Sequence, residues 1–390
     1  MRYLYVKDGD AVGETRRALT PGNVIRSGTG FYVADFIRAH AGDDLSIVCS
    51  WPQNDSFVCG SVRAESVAVA KGNPVVRVLS RGRSFLHLCR RIRSWRPQRI
   101  LCGQSGELLW ACALMSSLLR IPLVHARHNE MQRRRGLGWV SAALDRVSIR
   151  SCAAVVCHGQ FLVDQVKGIG VDAARIEEFK LPVQDFAKSR DAPVPEELSK
   201  FRSRRPFTLM FVGRLQRDKG VFDLLEAFRK VDARHADRVG LVYVGNGNDL
   251  AAVQQQVQQQ GLDAKVLFLG RLLHEQLPSV MSAATVMVAP TRREFPEGRC
   301  MSIIESLVLG VPVIAPDFGP FPYAVRHEAN GLLFEPDNVE SLENSIERLV
   351  RERQLLETLT VGATESGCIL AAEPHRSFSE AVTAAFRKAG

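Results

Sequence analysis

Short, uninterrupted apolar runs, each released into a glycine turn and followed by a helical period, constrain this chain more than any other feature. Residues 207–212 read FTLMFV and run straight into Gly213; residues 241–244 run into Gly245 and 266–269 into Gly270. A run apolar at nearly every position has no face for water, so it belongs to a strand covered on both sides. Strand-like segments at 4–6, 45–49, 67–70, 75–79, 100–102, 123–126, 153–157 and 176–179 occupy the first half. Helical periods separate most of them, at 31–41, 83–96, 107–119, 137–150 and 161–169. Strands alternating with helices predict an α/β chain with doubly wound parallel sheets. In such sheets ligands sit beyond the carboxyl ends of the strands, where these glycines fall.

A chain of 390 residues exceeds one ordinary core, and two domains are expected. Residues 181–205 lose periodicity and gain prolines and charges. They mark a linker, placed at 186–205, between a domain at 1–185 and one at 206–372. Residues 8–27 show no period and read as a long loop. No apolar run approaches the roughly 18–20 residues of a spanning helix, and MRYLYVKDGD reads as a first strand and not as a secretion signal. The nine cysteines are scattered without a CxxC pair. That argues against a zinc site and a disulfide framework, and for buried thiols in a reducing cytoplasm.

The charge is uneven. Residues 1–185 hold 26 Lys and Arg against 16 Asp and Glu; the remainder holds 25 against 26. An excess confined to one half suggests an anionic surface or substrate there. Within residues 83–96, Phe85, Leu88, Cys89, Ile92 and Trp95 follow helical spacing, and Arg83, Arg90, Arg91, Arg93 and Arg96 fill much of the rest. This fits either a helix lying on an anionic membrane surface or a surface helix packed on the sheet with its arginines in water. Arg133, Arg134 and Arg135 form a second basic cluster. No nucleic-acid recognition motif is present.

Several residues carry candidate chemistry. Gly28 and Gly30 open the helix at 31–41, where free backbone N–H groups can hold an anion or simply make a tight turn. His128 follows the strand at 123–126 and is either a ligand-facing or a core histidine. Gly213, Arg214, Lys219 and Gly220 lie between a strand and a helix. A guanidinium fork, an ammonium and helix N–H groups together suit a diphosphate. Gly245 and Gly247 make the next turn. In EFPEGRCMSIIE, Glu297 and Glu305 stand eight apart, a spacing that places two carboxylates on one helix face. Glu294 either shares that role or solvates the loop.

Taken together, Gly213, Arg214, Lys219, Gly220, Gly245, Gly247 and the pair Glu297 and Glu305 resemble the retaining glycosyltransferases of family 4, the group 1 nucleotide-sugar transferases of GT-B fold. The resemblance covers residues 207–350. It implies two Rossmann-like domains facing a cleft, with residues 373–390 returning as a helix to the first domain. It implies that Arg214 and Lys219 hold the donor diphosphate and that Glu305 bonds ribose hydroxyls. Glu297 then meets the donor sugar, and the turn Arg299, Cys300, Met301 and Ser302 offers backbone amides. His128 lines the sugar from the other domain, while Gly28 and Gly30 belong to the acceptor-binding domain. No cofactor or metal is implied, because cations of the chain face the leaving group. The chain departs from the pattern at Leu181 and Pro182, Cys300, Pro320 and Tyr323.

The implied activity is transfer of a sugar from a nucleotide-diphosphate sugar to a hydroxyl of a saccharide or lipid-linked acceptor. Cell-surface polysaccharide, lipopolysaccharide or glycolipid synthesis is the expected setting, in the cytoplasm or at the inner membrane face. A nucleotide-sugar 2-epimerase and a non-catalytic partner subunit share the fold and stay open. The glycine turns lack the GxGxxG spacing of a dinucleotide oxidoreductase.

Overall fold

The computed structural model describes residues 1–390 apart from 8, 21–28, 71–72, 132–137, 236–237 and 390. It divides into two compact units, Met1–Leu181 with His375–Gly390, and Pro182–Pro374.

The first unit runs β1 (Arg2–Lys7), α1 (Ala11–Leu19), α2 (Thr29–Ala39), β2 (Asp44–Trp51), β3 (Ser56–Cys59), β4 (Val62–Ala68) and α3 (Pro74–Trp95). It continues with β5 (Arg99–Cys102), α4 (Glu107–Leu119), β6 (Leu123–Arg127), α5 (Gly138–Ser151), β7 (Ala154–His158), α6 (Gln160–Gly168) and β8 (Ile176–Phe179). The eight strands lie in the order β3-β4-β2-β1-β5-β6-β7-β8. Every neighbouring pair is parallel except β3 with β4. Alternate residues of β1 feed two cores. Tyr3 and Tyr5 join α1, α2 and the C-terminal helix on one face; Leu4 and Val6 join α3, α4, α5 and α6 on the other.

Three expectations fail here for local reasons. Residues 8–27 are not one loop, because α1 lies inside them. Asp10 caps it by accepting a 2.8 Å hydrogen bond from Gly13 N–H. Its inward face includes Glu14 and Thr15, which hides the apolar period. Residues 75–79 are not a strand but the first turns of α3. The N-cap Asn73 accepts from Val75 N–H at 2.9 Å, and Pro74 sits at the helix start, a pairing that outweighs the β-branched run. The strand read at 67–70 is the end of β4, whose antiparallel partner β3 is mostly exposed and so shows no alternation.

The second unit runs α7 (Glu196–Arg204), β9 (Phe207–Val212), α8 (Val221–Asp232), β10 (Val239–Val244), α9 (Leu250–Gln259), β11 (Val266–Gly270) and α10 (Leu277–Ser282). It continues with β12 (Val286–Val288), α11 (Met301–Val308), β13 (Val313–Pro316), β14 (Gly331–Phe334), α12 (Val339–Arg351) and α13 (Arg353–Ala372). Its six strands are all parallel, in the order β11-β10-β9-β12-β13-β14. The order reverses between β9 and β12, so the loops leaving those strands flank the crevice where such sheets bind ligands. The stretch read as a linker carries a helix, since Leu198 of α7 is buried in this unit's core.

The last helix, α14 (Phe378–Lys388), belongs to the first unit. A capping box between Ser377 and Glu380 starts it. Phe378, Ala381, Val382, Ala385 and Phe386 enter the first core. Asp35 of α2 accepts from Ser379 N–H and Oγ, and Glu177 pairs with both Arg376 and Lys388.

Candidate functional site

At the switch point of the second sheet, two glycine loops are knitted together. Gly213 N–H donates to the Val244 carbonyl and Leu215 N–H to the Asn246 carbonyl, each at 3.0 Å; Asp249 N–H returns a bond to the Leu215 carbonyl at 3.1 Å. A Cβ on Gly245 would stand 1.9 Å from the Gly213 carbonyl oxygen, so no side chain fits there. Gly213, Arg214, Gly245 and Gly247 thus share one place at the strand ends.

The loop leaving β12 closes against the same place. Gly220 has φ +72°, and a Cβ there would lie 1.8 Å from the Pro290 carbonyl oxygen. Arg292 N–H donates to the Asp218 carbonyl at 3.0 Å, and its Nη1 donates to both oxygens of the Asp223 carboxylate, at 3.0 and 3.1 Å. Burial raises the Asp223 carboxyl, opposed by Arg292. With the two loops pinned, Lys219 Nζ donates to Glu297 Oε2 at 2.5 Å and stands 3.7 Å from the centre of the Phe295 ring. The Arg214 guanidinium carbon lies 5.5 Å from that ring. One aromatic ring therefore holds both cations of this glycine loop by cation–π attraction. Phe295 and Arg292 are site residues that the sequence reading missed. Their signal was faint, an aromatic between two carboxylates and an arginine before them.

Glu294 is exposed and lies 3.6 Å from Arg292, while Glu297 pairs with Lys219. The idea that Glu297 and Glu305 share a helix face is corrected. Helix α11 begins at Met301, so Glu297 sits in the preceding loop. Pro296 and Gly298 in that loop explain the late start. Arg299 lies in the same loop. Cys300 occupies the N-cap position without a side-chain cap bond, its Sγ 3.4 Å from Ser302 Oγ, so the first-turn amides of α11 stand at the positive end of the helix. Burial pushes the Cys300 thiol up to about 11, helped by Glu297. Glu305 is buried one turn further on, and among the described residues no ion pair reaches it. Burial alone pushes its carboxyl up to about 8.

In the first unit, His128 lies just past β6 among aromatic rings, 4.2 Å from Tyr32 and 5.5 Å from Phe378 between centroids. Burial first, then the nearby charges of Lys7 and Arg127, lower it to about 3, so it is a neutral imidazole. Its Nδ1 is buried without a hydrogen-bond partner. Lys7, at the end of β1, forms a buried 2.6 Å ion pair with Glu14 of α1, which the reading of 8–27 as a loop concealed. Gly30 lies in the first turn of α2, while Gly28 and Arg133–Arg135 fall outside the described residues. In α3, Leu88 and Ile92 are buried, with Phe85, Cys89 and Trp95 packed beside them, and Arg83, Arg90, Arg93 and Arg96 are exposed.

The family model "Glycosyl transferases group 1" matches residues 195–365, and "Glycosyltransferase Family 4" matches residues 26–180. Together they span most of the chain, which belongs to the group 1 glycosyltransferases. The chain is 25% identical over 276 residues to an alpha-D-kanosaminyltransferase of Streptomyces kanamyceticus, covering 67% of this chain and 70% of that one. It is 29% identical over 173 residues to a GDP-mannose-dependent phosphatidylinositol monomannoside mannosyltransferase of Mycobacterium tuberculosis, covering 42% of this chain and 44% of that one. An uncharacterized glycosyltransferase of Methanocaldococcus jannaschii is 31% identical over 37% of this chain and 36% of its own length. The fold is GT-B. The structure of Anabaena HepE in complex with UDP aligns with a TM-score of 0.64 at 17% identity, over 99% of this chain and 98% of that one. OtsA aligns with a TM-score of 0.65 at 9% identity, over 95% and 96%.

Proposed function

We propose that the protein transfers a sugar from a nucleotide-diphosphate sugar to an acceptor hydroxyl with retention of anomeric configuration. One observation carries this reading. At the switch point, the two cations of the glycine loop, the Phe295 ring and Glu297 form one cluster, with the amide-bearing start of α11 and the buried Glu305 immediately following in the chain. Two cations and helix amides suit a diphosphate. Two carboxylates suit sugar and ribose hydroxyls. The relatives named above as a GDP-mannose-dependent enzyme and as a protein crystallised with UDP support a donor of this class.

In this scheme Lys219 exchanges Glu297 for the diphosphate when the donor arrives, and Glu297 turns to the sugar. Arg214 and Lys219 stabilise the charge that develops as the anomeric carbon–oxygen bond breaks, without a metal. A phosphate oxygen of the leaving group accepts the proton of the incoming hydroxyl, and the new bond forms on the face that the leaving group vacates. The acceptor is a saccharide or a lipid-linked sugar of cell-surface synthesis, and His128 serves as a neutral hydrogen-bonding group.

The test is a panel of nucleotide sugars with simple glycoside acceptors, followed by NMR of the product. A product with the donor's anomeric configuration supports the reading. An inverted product, or conversion of the donor to its 2-epimer without acceptor, contradicts it.

A further inference from the structure

Three helices of the first unit, α3, α4 and α5, pack side by side over one face of the sheet. Their inner sides fill the core. Their outer sides are apolar as well. On α3, Val75, Val78, Leu79 and Leu86 are exposed, Val78 at 69% and Leu79 at 61%. Val75, Leu79 and Leu86 continue into Arg90 and Arg93 at spacings of three or four, or their sum, and so form one outward stripe. On α5, Val140, Leu144 and Val147 repeat the pattern beside Trp139, and α4 adds Leu114 and Leu118. Most of the large apolar side chains that the described residues expose lie on these three neighbouring helices. Scattered exposed apolar residues are ordinary, but a run of stripes on adjacent helices needs an occupant.

The charges around the stripes say which occupant. Helix α3 carries six arginines and no acidic residue. The acid of α4, Glu107, is part-buried and lies 4.0 Å from Arg81. The acid of α5, Asp145, accepts from Gly106 N–H and Trp110 Nε1, each at 2.8 Å. The surface is therefore apolar and cationic with no exposed carboxylate on any of the three helices. A second copy of the same face would set arginine against arginine. An anionic bilayer supplies both complements, phosphate-level charge for the guanidinium groups and an acyl boundary for Val, Leu and Trp side chains.

We propose that the outward face of α3, α4 and α5 docks on the surface of an anionic lipid bilayer. The stripe lies on the side of α3 opposite its core residues Leu88 and Ile92, and it includes the turns at 75–79 that lie outside the helix read from sequence. The inference is independent of the proposed sugar transfer and is tested without it.

The full chain is mixed with vesicles of phosphatidylcholine alone and of phosphatidylcholine with 30% phosphatidylglycerol, a fraction chosen as roughly that of an anionic membrane face, and separated by flotation. Binding to the anionic vesicles only is expected. Leu79→Glu/Leu86→Glu and Arg90→Glu/Arg93→Glu are each expected to weaken the partition at least about tenfold with an unchanged melting temperature, since all four side chains are exposed. A measurement on the unaltered chain stands beside these variants. Trp139 emission should shift to the blue on adding anionic vesicles, and Trp139→Phe should lose the shift. No flotation with anionic vesicles overturns the proposal. So does a dimer that Leu79→Glu/Leu86→Glu dissolves, which would make a second copy the occupant, and so does tight capture of a soluble acidic protein in place of vesicles.

Discussion

Lys219 and Glu297 lie 78 residues apart in sequence, yet their charged ends meet at 2.5 Å. The pair ties the loop that leaves β9 to the loop that leaves β12, the two loops of the topological switch point. In the proposed scheme an incoming diphosphate takes the lysine from this carboxylate, and the carboxylate turns to the sugar.

Removing either partner therefore has separable effects. Lys219→Ala is expected to lower kcat/KM by a factor of about 10²–10³, because a charge facing the leaving group is lost. Glu297→Gln is expected to lower kcat similarly and to cost about 1–3 kcal/mol of folding stability, since the pair is mostly buried and the change leaves the lysine without its carboxylate. Steady-state kinetics and chemical denaturation check the two. Near-native turnover in Lys219→Ala would remove this residue from the site.

Glu305 gives a pH signature. Its carboxyl sits at about 8 when folded, against about 4.5 unfolded. Between those values the folded state holds a proton that the unfolded state has lost, so stability falls as pH rises from about 5 to 8. Glu305→Gln should remove this slope and be the more stable protein at pH 8.5, by up to roughly 4–5 kcal/mol. Denaturation across that range measures it. Hydroxyl donors from a ribose would favour the ionised form, so nucleotide binding near pH 7.5 should release a proton, seen calorimetrically in buffers of different ionisation enthalpy. Equal pH slopes for the two proteins would show that Glu305 ionises normally.

Gly220 is set by backbone geometry. With φ +72° and a carbonyl oxygen 1.8 Å from where Cβ would be, Gly220→Ala must move the β12 loop. A loss of about 2 kcal/mol or more is expected, together with weakened nucleotide binding. A melting temperature within a degree of the parent would contradict this placement of the two loops.

His128 is expected to stay neutral. Its imidazole, lowered to about 3 by burial and by Lys7 and Arg127, should show no NMR titration between pH 5 and 8. A midpoint near the ordinary histidine value would mean that the ring is open to water.

Much of this was legible in sequence, for identifiable reasons. Strands such as 241–244 are apolar at every position, and each glycine in Gly213, Gly245 and Gly270 ends one, so sheets and ligand edge followed from period and punctuation. Lys219 and Glu305 carried their chemistry in their residue types. What escaped depended on tertiary contact. Glu14 faces inward only because Lys7 meets it, which hid α1. Val75 to Leu79 look like a strand by composition, and only the Asn73 cap and Pro74 turn them into a helix whose apolar side has no core to enter. The small inward residues Ala363, Ser366 and Gly367 left α13 without a recognisable stripe. Phe295 gains meaning only when Arg214 and Lys219 are seen on its ring.

The most direct measurement is a calorimetric titration of UDP, GDP and ADP into the full chain and into Lys219→Ala. At least one nucleoside diphosphate should bind the parent chain, and Lys219→Ala should weaken that binding at least about tenfold while a cooperative melt shows that it remains folded. If none binds, or if the variant binds as tightly as the parent, the cluster of Arg214, Lys219, Phe295 and Glu297 is not a diphosphate site.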